Sequence, residues 1–343
     1  MSKLIYVPLE HIEGRYTIHM DVAIEEYLNR ENIEYIKIMP TYETPPLPEG
    51  QFLNSAFTSK FKALQMAEIS SLIERGVITD GDTLFFSDIW FPGIESIAYM
   101  KYFNKMDNLK ITGLIHAGSF TDTDFVRDME RWAKNFEDII FDISDTIYCA
   151  SNFIKNDIIK KRMIDPNKLV VSGLPVDYSG LDPHKGQTKK NIVVFNGRIC
   201  DEKQPWLFNE LAKQVNERIT ENVEFIRTQD MNYSKEEYYD LLGRSKAVVS
   251  YALQENFGFG VAEAVYLGCT PVLPNRLVYP ELYPDVKLYD RFDESVDMVC
   301  DAINNYQEQQ IVLDTDKVMI TWFGEGDKTG EPVWAVTKIK QYL

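Results

Sequence analysis

The chain has 343 residues, 45% of them hydrophobic, which suits two domains with cores of ordinary size. Its net charge of −17 excludes the broadly basic face of a general nucleic-acid binder, though not a local basic groove on an acidic body. Four cysteines, Cys149, Cys200, Cys269 and Cys300, are too widely spaced for a zinc knuckle or a C-x-x-C pair, and read as buried hydrophobes in a reducing cytoplasm. The opening MSKLIYVPLEHIEGRY lacks the long apolar stretch of a secretory signal, and no window approaches 18 uninterrupted apolar residues, so no membrane span is expected.

In chain order, short apolar runs at 4–9, 34–39, 83–87, 110–116, 146–151 and 168–173 predict strands. Helical patterns at 17–30, 58–75, 122–134 and 152–162 lie between them. This alternation implies βαβ units and a parallel sheet. The turn after the first strand, PLEHIEGRYTIHMD, has a single glycine, Gly14, followed by Arg15 and Tyr16. TYETPPLPEG at 41–50 reads as a long loop, a candidate flap. LIHAGSFTDTD places His116 at the end of an apolar run and Asp122 and Asp124 just beyond it. The Pro/Gly-rich polar stretch 174–190 predicts a linker after a first domain over 1–173.

The alternation then restarts over 191–330. Strands are expected at 191–197, 223–228, 246–251 and 270–274, with helices at 203–217, 235–243 and 260–268. The final 331–343 reads as a helix that crosses back to the first domain. Two doubly wound α/β domains in series would face a cleft lined by strand C-terminal ends, where ligands bind in such sheets.

The richest stretch is SYALQENFGFGVAEAVYLGCTPVLPNR at 250–276. It joins a buried strand to a helix N-terminus, where unpaired amides and the helix dipole favour an anion. Gly258 and Gly260 would admit a ligand close to the backbone. Glu263 lies in the first turn of the helix, suited to the hydroxyls of a ribose, and Glu255 precedes it in the loop, suited to a sugar.

The string Glu255, Phe257, Gly258, Glu263, Ala264, Gly268, Pro271 and Val272 resembles the E-x7-E signature of retaining GT-B glycosyltransferases. FNGRICDEKQPWLF at 195–208 is similar to the first donor-domain strand of that family, which ends in Gly-Arg and reaches a lysine soon after. The resemblance implies that Gly197, Asn256, Phe257, Gly258, Phe259, Gly260, Glu263 and Arg15 hold the donor. It implies that Arg198 and Lys203 neutralise its diphosphate, with Glu255 and His116 beside the transferred sugar. The family lysine is usually followed by glycine; here Gln204 follows. Tyr16, Asp122 and Asp124 are acceptor candidates. PNRLVYPELYPDV, with Asn275, Arg276 and Tyr279, resembles the matching segment of enzymes that glycosylate a tRNA base and of phage enzymes that glycosylate DNA bases.

The implied reaction moves a sugar from a nucleoside diphosphate, expected to be UDP, to an acceptor hydroxyl with retention and with no metal or other cofactor. The favoured acceptor is a hydroxymethylated pyrimidine in DNA. Residues 151–190 hold eight Lys/Arg against four Asp/Glu, net +4, and are expected to contact a phosphate backbone. Alternatives are a polysaccharide, lipid-linked or small-molecule acceptor, and a sugar-nucleotide binding module without turnover.

Overall fold

The computed structural model describes residues 2–12, 16–43, 45, 53–124, 126–176, 178–308 and 314–324. Arg15, most of the Pro-rich stretch 41–50 and the expected helix 331–343 lie outside the described residues.

The first unit is built on β1 (Leu4–Val7), β2 (Tyr35–Lys37), β3 (Thr83–Phe86), β4 (Lys110–Ile115), β5 (Thr146–Cys149) and β6 (Leu169–Val171). They form one parallel sheet in the order β2-β1-β3-β4-β5-β6. The strands read as continuous apolar runs because both faces are covered: Ile5, Leu84, Phe86, Ile111 and Ile147 are all fully buried. The covering helices are α1 (Tyr16–Arg30), α2 (Ser55–Glu74), α3 (Ile94–Phe103), α4 (Glu130–Ile143) and α5 (Asn152–Lys161). α2 starts earlier than its apolar periodicity suggests because Asn54 caps it, accepting from the Phe57 amide. The helix expected at 122–134 is displaced. The Asp124 side chain accepts from the Val126 amide, a 3-10 turn covers Arg127–Met129, and α4 begins only at Glu130.

One polar network is sealed inside this unit. Glu137, on α4, accepts from the Ser119 amide at 2.6 Å, the Ser119 hydroxyl at 2.9 Å and Arg162 Nε at 3.0 Å. Its side chain is 0% exposed and that of Arg162 is 2% exposed.

The second unit has β7 (Lys190–Phe195), β8 (Glu224–Arg227), β9 (Ser245–Val249) and β10 (Thr270–Val272), parallel in the order β10-β9-β7-β8. Its helices are α6 (Pro205–Arg218), α7 (Lys235–Arg244), α8 (Phe259–Tyr266), α9 (Tyr279–Leu282) and α10 (Phe292–Asn304). Val193, Phe208, Leu211, Val249, Val272 and Val296 form its core. The strand order reverses between β7 and β9, so a crevice is expected at the C-terminal ends of those two strands.

One segment departs from the sequence expectation. The stretch expected as a linker, 174–190, is largely folded onto the second unit, which begins at Val176. Leu181 is fully buried, Tyr178 stacks on Tyr266 with ring centroids 4.0 Å apart, and Asp182 accepts from the Tyr266 hydroxyl at 2.7 Å. The return to the first unit is made by α11 (Thr315–Phe323), whose Trp322 and Phe323 pack on Phe85 with centroids 5.4 and 4.7 Å away. No described helix is long and apolar enough to cross a membrane.

Candidate donor site

In the second unit, a pocket opens at the strand-order reversal. It is lined by Phe195, Asn196 and Gly197 after β7, by Ser250 and Glu255 after β9, by the first residues of α8, and by Lys203 and Tyr279. The chain thus brings together Gly197, Gly258, Phe259 and Gly260 of the expected donor contacts, with Lys203 and Glu255.

The local reasons are specific. Gly258 stands at the N-cap of α8 with φ +81°, a left-handed value that glycine takes without strain, and it brings no capping side chain. Gly260 is needed for a close approach, but to protein rather than ligand. A Cβ there would lie 2.9 Å from Asn196 Nδ2, which donates to the Gly260 carbonyl at 2.6 Å. β7 and α8 are therefore latched together at the pocket wall. Phe259 lines the pocket, whereas Phe257 is 2% exposed and packs on Phe259 with centroids 4.8 Å apart. The Phe257 side chain is core, so any donor contact it makes is through its backbone. The Asn256 amide oxygen accepts from Gln254 at 2.7 Å, bracing the loop.

Lys203 is the central cation. Its Nζ donates to the Gln254 carbonyl and lies 3.3 Å from Glu255 Oε2. The side chain is 11% exposed and that of Glu255 22%, so this pair sits at the pocket floor. Gln204, in the place where the resemblance leads one to expect glycine, has φ 51° and ψ 52°. The position is left-handed, which explains a glycine preference; here Gln204 Nε2 donates to the Tyr251 carbonyl at 2.7 Å instead. Arg276 binds the same loop from the other side, donating from Nε to Ala252 and from Nη2 to Tyr251, both at 3.0 Å. Its role is to hold the 251–255 backbone. Asn275 donates to Asp290 at 3.1 Å, away from the pocket lining. Tyr279 does line the pocket, with its hydroxyl 2.7 Å from Ser250 Oγ, and burial with the nearby Glu255 charge pushes its phenol well up.

Arg198 does not join the pocket lining. Its side chain is 47% exposed and its guanidinium pairs with Glu202 four residues on. Glu263 accepts from Lys235 at 2.9 Å, Tyr238 at 3.1 Å and Tyr239 at 3.3 Å. Sequence reasoning missed Lys235, Tyr238 and Asn196, because the topology delivers them from separate elements.

The first unit has its own reversal of strand order, between β1 and β3. His116 follows β4 and donates from Nε2 to the Ser87 carbonyl at 2.7 Å. Its Nδ1 lies 3.2 Å from the Tyr16 hydroxyl, within hydrogen-bond reach. Beside them Asp21 accepts from Tyr6 at 2.7 Å, His11 at 2.6 Å and Lys37 at 2.7 Å. Burial pushes the Asp21 carboxyl up, but these bonds outweigh it and hold it below the ordinary carboxylate value. Tyr16 and His116 are thus brought together. Asp122 is turned onto Lys161 at 2.8 Å, and Asp124 caps its own turn.

Most of the cations of the basic stretch 151–190 have partners within the fold. Lys155 donates to the Leu169 carbonyl, Lys168 to Phe141 and Asp142, and Lys189 to Leu267. Lys161 pairs with Asp122 and Asp157, Arg162 with Glu137, and Lys185 with Asp182. Most of that charge is used in holding the fold. Among the described residues, no cluster of His, Cys, Asp or Glu could hold a metal ion.

No family model matches the chain. Among curated proteins it is 32% identical over 117 residues to the tRNA-queuosine alpha-mannosyltransferase of Drosophila melanogaster, a match covering 32% of this chain and 31% of that one. The chain thus matches about a third of that relative's length. Among solved structures it resembles the catalytic domain of starch synthase IV from Arabidopsis thaliana bound to ADP and acarbose, with a TM-score of 0.63 at 10% identity over 96% of both chains. The fold is GT-B. It also resembles WaaG, a glycosyltransferase involved in lipopolysaccharide biosynthesis, with a TM-score of 0.51 at 10% identity over 92% of both chains. Within the GT-B fold, the pocket described above lies in the second Rossmann-like unit.

Proposed function

We propose that the protein is a retaining glycosyltransferase that uses a nucleoside-diphosphate sugar, UDP-linked in the first instance, and transfers a hexosyl or pentosyl group to a hydroxyl of a modified base in nucleic acid. The observation that carries the donor half is the convergence of Lys203, Glu255 and the α8 N-terminus on one pocket, with Glu263 in the same helix. In this reading the α8 amides and Lys203 take the diphosphate, Glu263 the ribose and Glu255 the sugar hydroxyls. The bond from the anomeric carbon to the leaving phosphate oxygen breaks through an oxocarbenium-like state. The acceptor oxygen bonds to the same face and its proton passes to the departing phosphate. Lys203 stabilises the charge growing on that phosphate, which is where such donors act most strongly. Arg198 contributes if its side chain leaves Glu202 for the phosphate. The reaction as written needs no metal.

For the acceptor, the resemblance of the 274–286 segment supports a hydroxymethylated pyrimidine in DNA. A second reading, a modified tRNA base, is favoured by the match to the queuosine mannosyltransferase. Either base must be unstacked to expose its hydroxyl. The test is a transfer screen of several nucleotide sugars against hydroxymethylated DNA, unmodified DNA, tRNA and simple glycans. Product on hydroxymethylated DNA supports the first reading and product on tRNA the second. Transfer to glycans alone would overturn both.

A further inference from the structure

Glu263 is held before any ligand arrives, and by one element. Lys235 and Tyr239 donate to Oε1 at 2.9 and 3.3 Å, and Tyr238 donates to Oε2 at 3.1 Å. All three come from α7. Tyr238 is itself fixed, since its oxygen accepts from Asn196 Nδ2 at 3.3 Å, the same amide that latches β7 to α8. Lys235 is placed in turn by the rings beneath it. Its Nζ lies 4.5 Å from the Tyr239 centroid and 5.1 Å from that of Tyr238. The lysine is at the first position of α7, whose start is fixed by a capping box between Ser234 and Glu237.

The division of donors over the carboxylate matters. A carboxylate offers about four acceptor sites, two on each oxygen. Two donors occupy Oε1 and one occupies Oε2, so the remaining capacity is on Oε2. We propose that Lys235 is a positioning residue for donor recognition: with Tyr238 it holds Glu263 so that Oε2 is presented to a ribose hydroxyl. This deepens the proposed function and rests on its assignment of the ribose to Glu263. Without Lys235, Oε1 loses its charged donor, the carboxylate turns, and Oε2 is no longer aimed.

The prediction is a loss specific to the ribose hydroxyls. It is tested by calorimetric titration of UDP and of its 2′,3′-dideoxy analogue into wild type, Lys235→Met, Lys235→Arg and Tyr238→Phe, with thermal melting of each variant alone. A charged hydrogen bond removed from a recognition site costs about tenfold or more in affinity. Lys235→Met and Tyr238→Phe are expected to weaken UDP about tenfold while dideoxy binding stays within about twofold, with Lys235→Arg recovering most of the loss. With a nucleotide sugar, Lys235→Met raises KM by a similar factor and leaves kcat nearly unchanged. Equal weakening of both nucleotides would make Lys235 a merely structural residue and overturn the inference, as would unchanged binding of both. If wild type binds neither UDP, GDP nor ADP, the donor reading itself falls and takes the inference with it; the wild-type titration therefore separates the two failures.

Discussion

Replacing Lys203 by methionine separates the two jobs that its position gives it. The first is structural: the ammonium donates to the Gln254 carbonyl and lies 3.3 Å from Glu255, with only 11% of the side chain exposed. Methionine keeps most of the apolar stem, so the loss is the charged hydrogen bond and the partial pairing of Glu255, together about 2 kcal/mol. The second is chemical: a cation beside the leaving phosphate is lost, for which about 3–4 kcal/mol of transition-state stabilisation is a reasonable scale, or roughly 10²–10³ in kcat/KM. Thermal melting reads the first and steady-state transfer reads the second. A drop of a few degrees in Tm with a two- to three-decade loss of kcat/KM is expected. A lowered Tm with transfer kept within about threefold would show Lys203 to be a strut for the 254–255 loop and would refute its chemical role.

Three further outcomes follow from the geometry. Gln204→Gly exchanges a hydrogen bond to Tyr251 for relief of a left-handed backbone, terms of about 1 kcal/mol each, so its stability should stay near wild type, whereas Gln204→Ala keeps the strain, loses the bond and should fall by about 1 kcal/mol in denaturant titration. Arg162→Met leaves Glu137 buried without its ionic partner and should cost about 3–5 kcal/mol, while the double variant Arg162→Met/Glu137→Met should recover much of that. Asp21 has a folded pKa below its unfolded value, so its contribution is fully present above about pH 4 and is lost as pH falls through the folded pKa; Asp21→Asn should flatten the stability–pH curve in that acid window and leave its shape near neutrality unchanged.

Much of this architecture is legible in the residues. Both sheets follow from apolar runs bounded by turn residues, and the pocket follows from Glu255, Gly258 and Gly260 lying within one strand–loop–helix. What pattern does not carry is who meets those residues. Lys235, Tyr238 and Asn196 come from two other elements, and only the strand order brings them to Glu263. A signal did exist: Ser234-x-x-Glu237 marks a helix start soon after β8, which puts Lys235 at the ligand-binding end of the sheet. The charge run at 151–190 says less about a partner than its count suggests, for a physical reason. Lysine stems are long enough to reach the carbonyls at strand and helix ends, so a basic stretch can be consumed internally, as Lys155, Lys168 and Lys189 are. α3, α10 and α11 are not among the expected helices.

The central claim is that the second unit binds a nucleoside diphosphate through the pocket between β7 and α8. Its most direct test is calorimetric titration of UDP, GDP and ADP into the wild type and Glu263→Gln. One of the three is expected to bind in the range of about 1 μM to 1 mM typical of enzyme substrates, and to bind at least about tenfold more weakly to Glu263→Gln. Binding of none of them, or binding that Glu263→Gln leaves unchanged, would contradict the account.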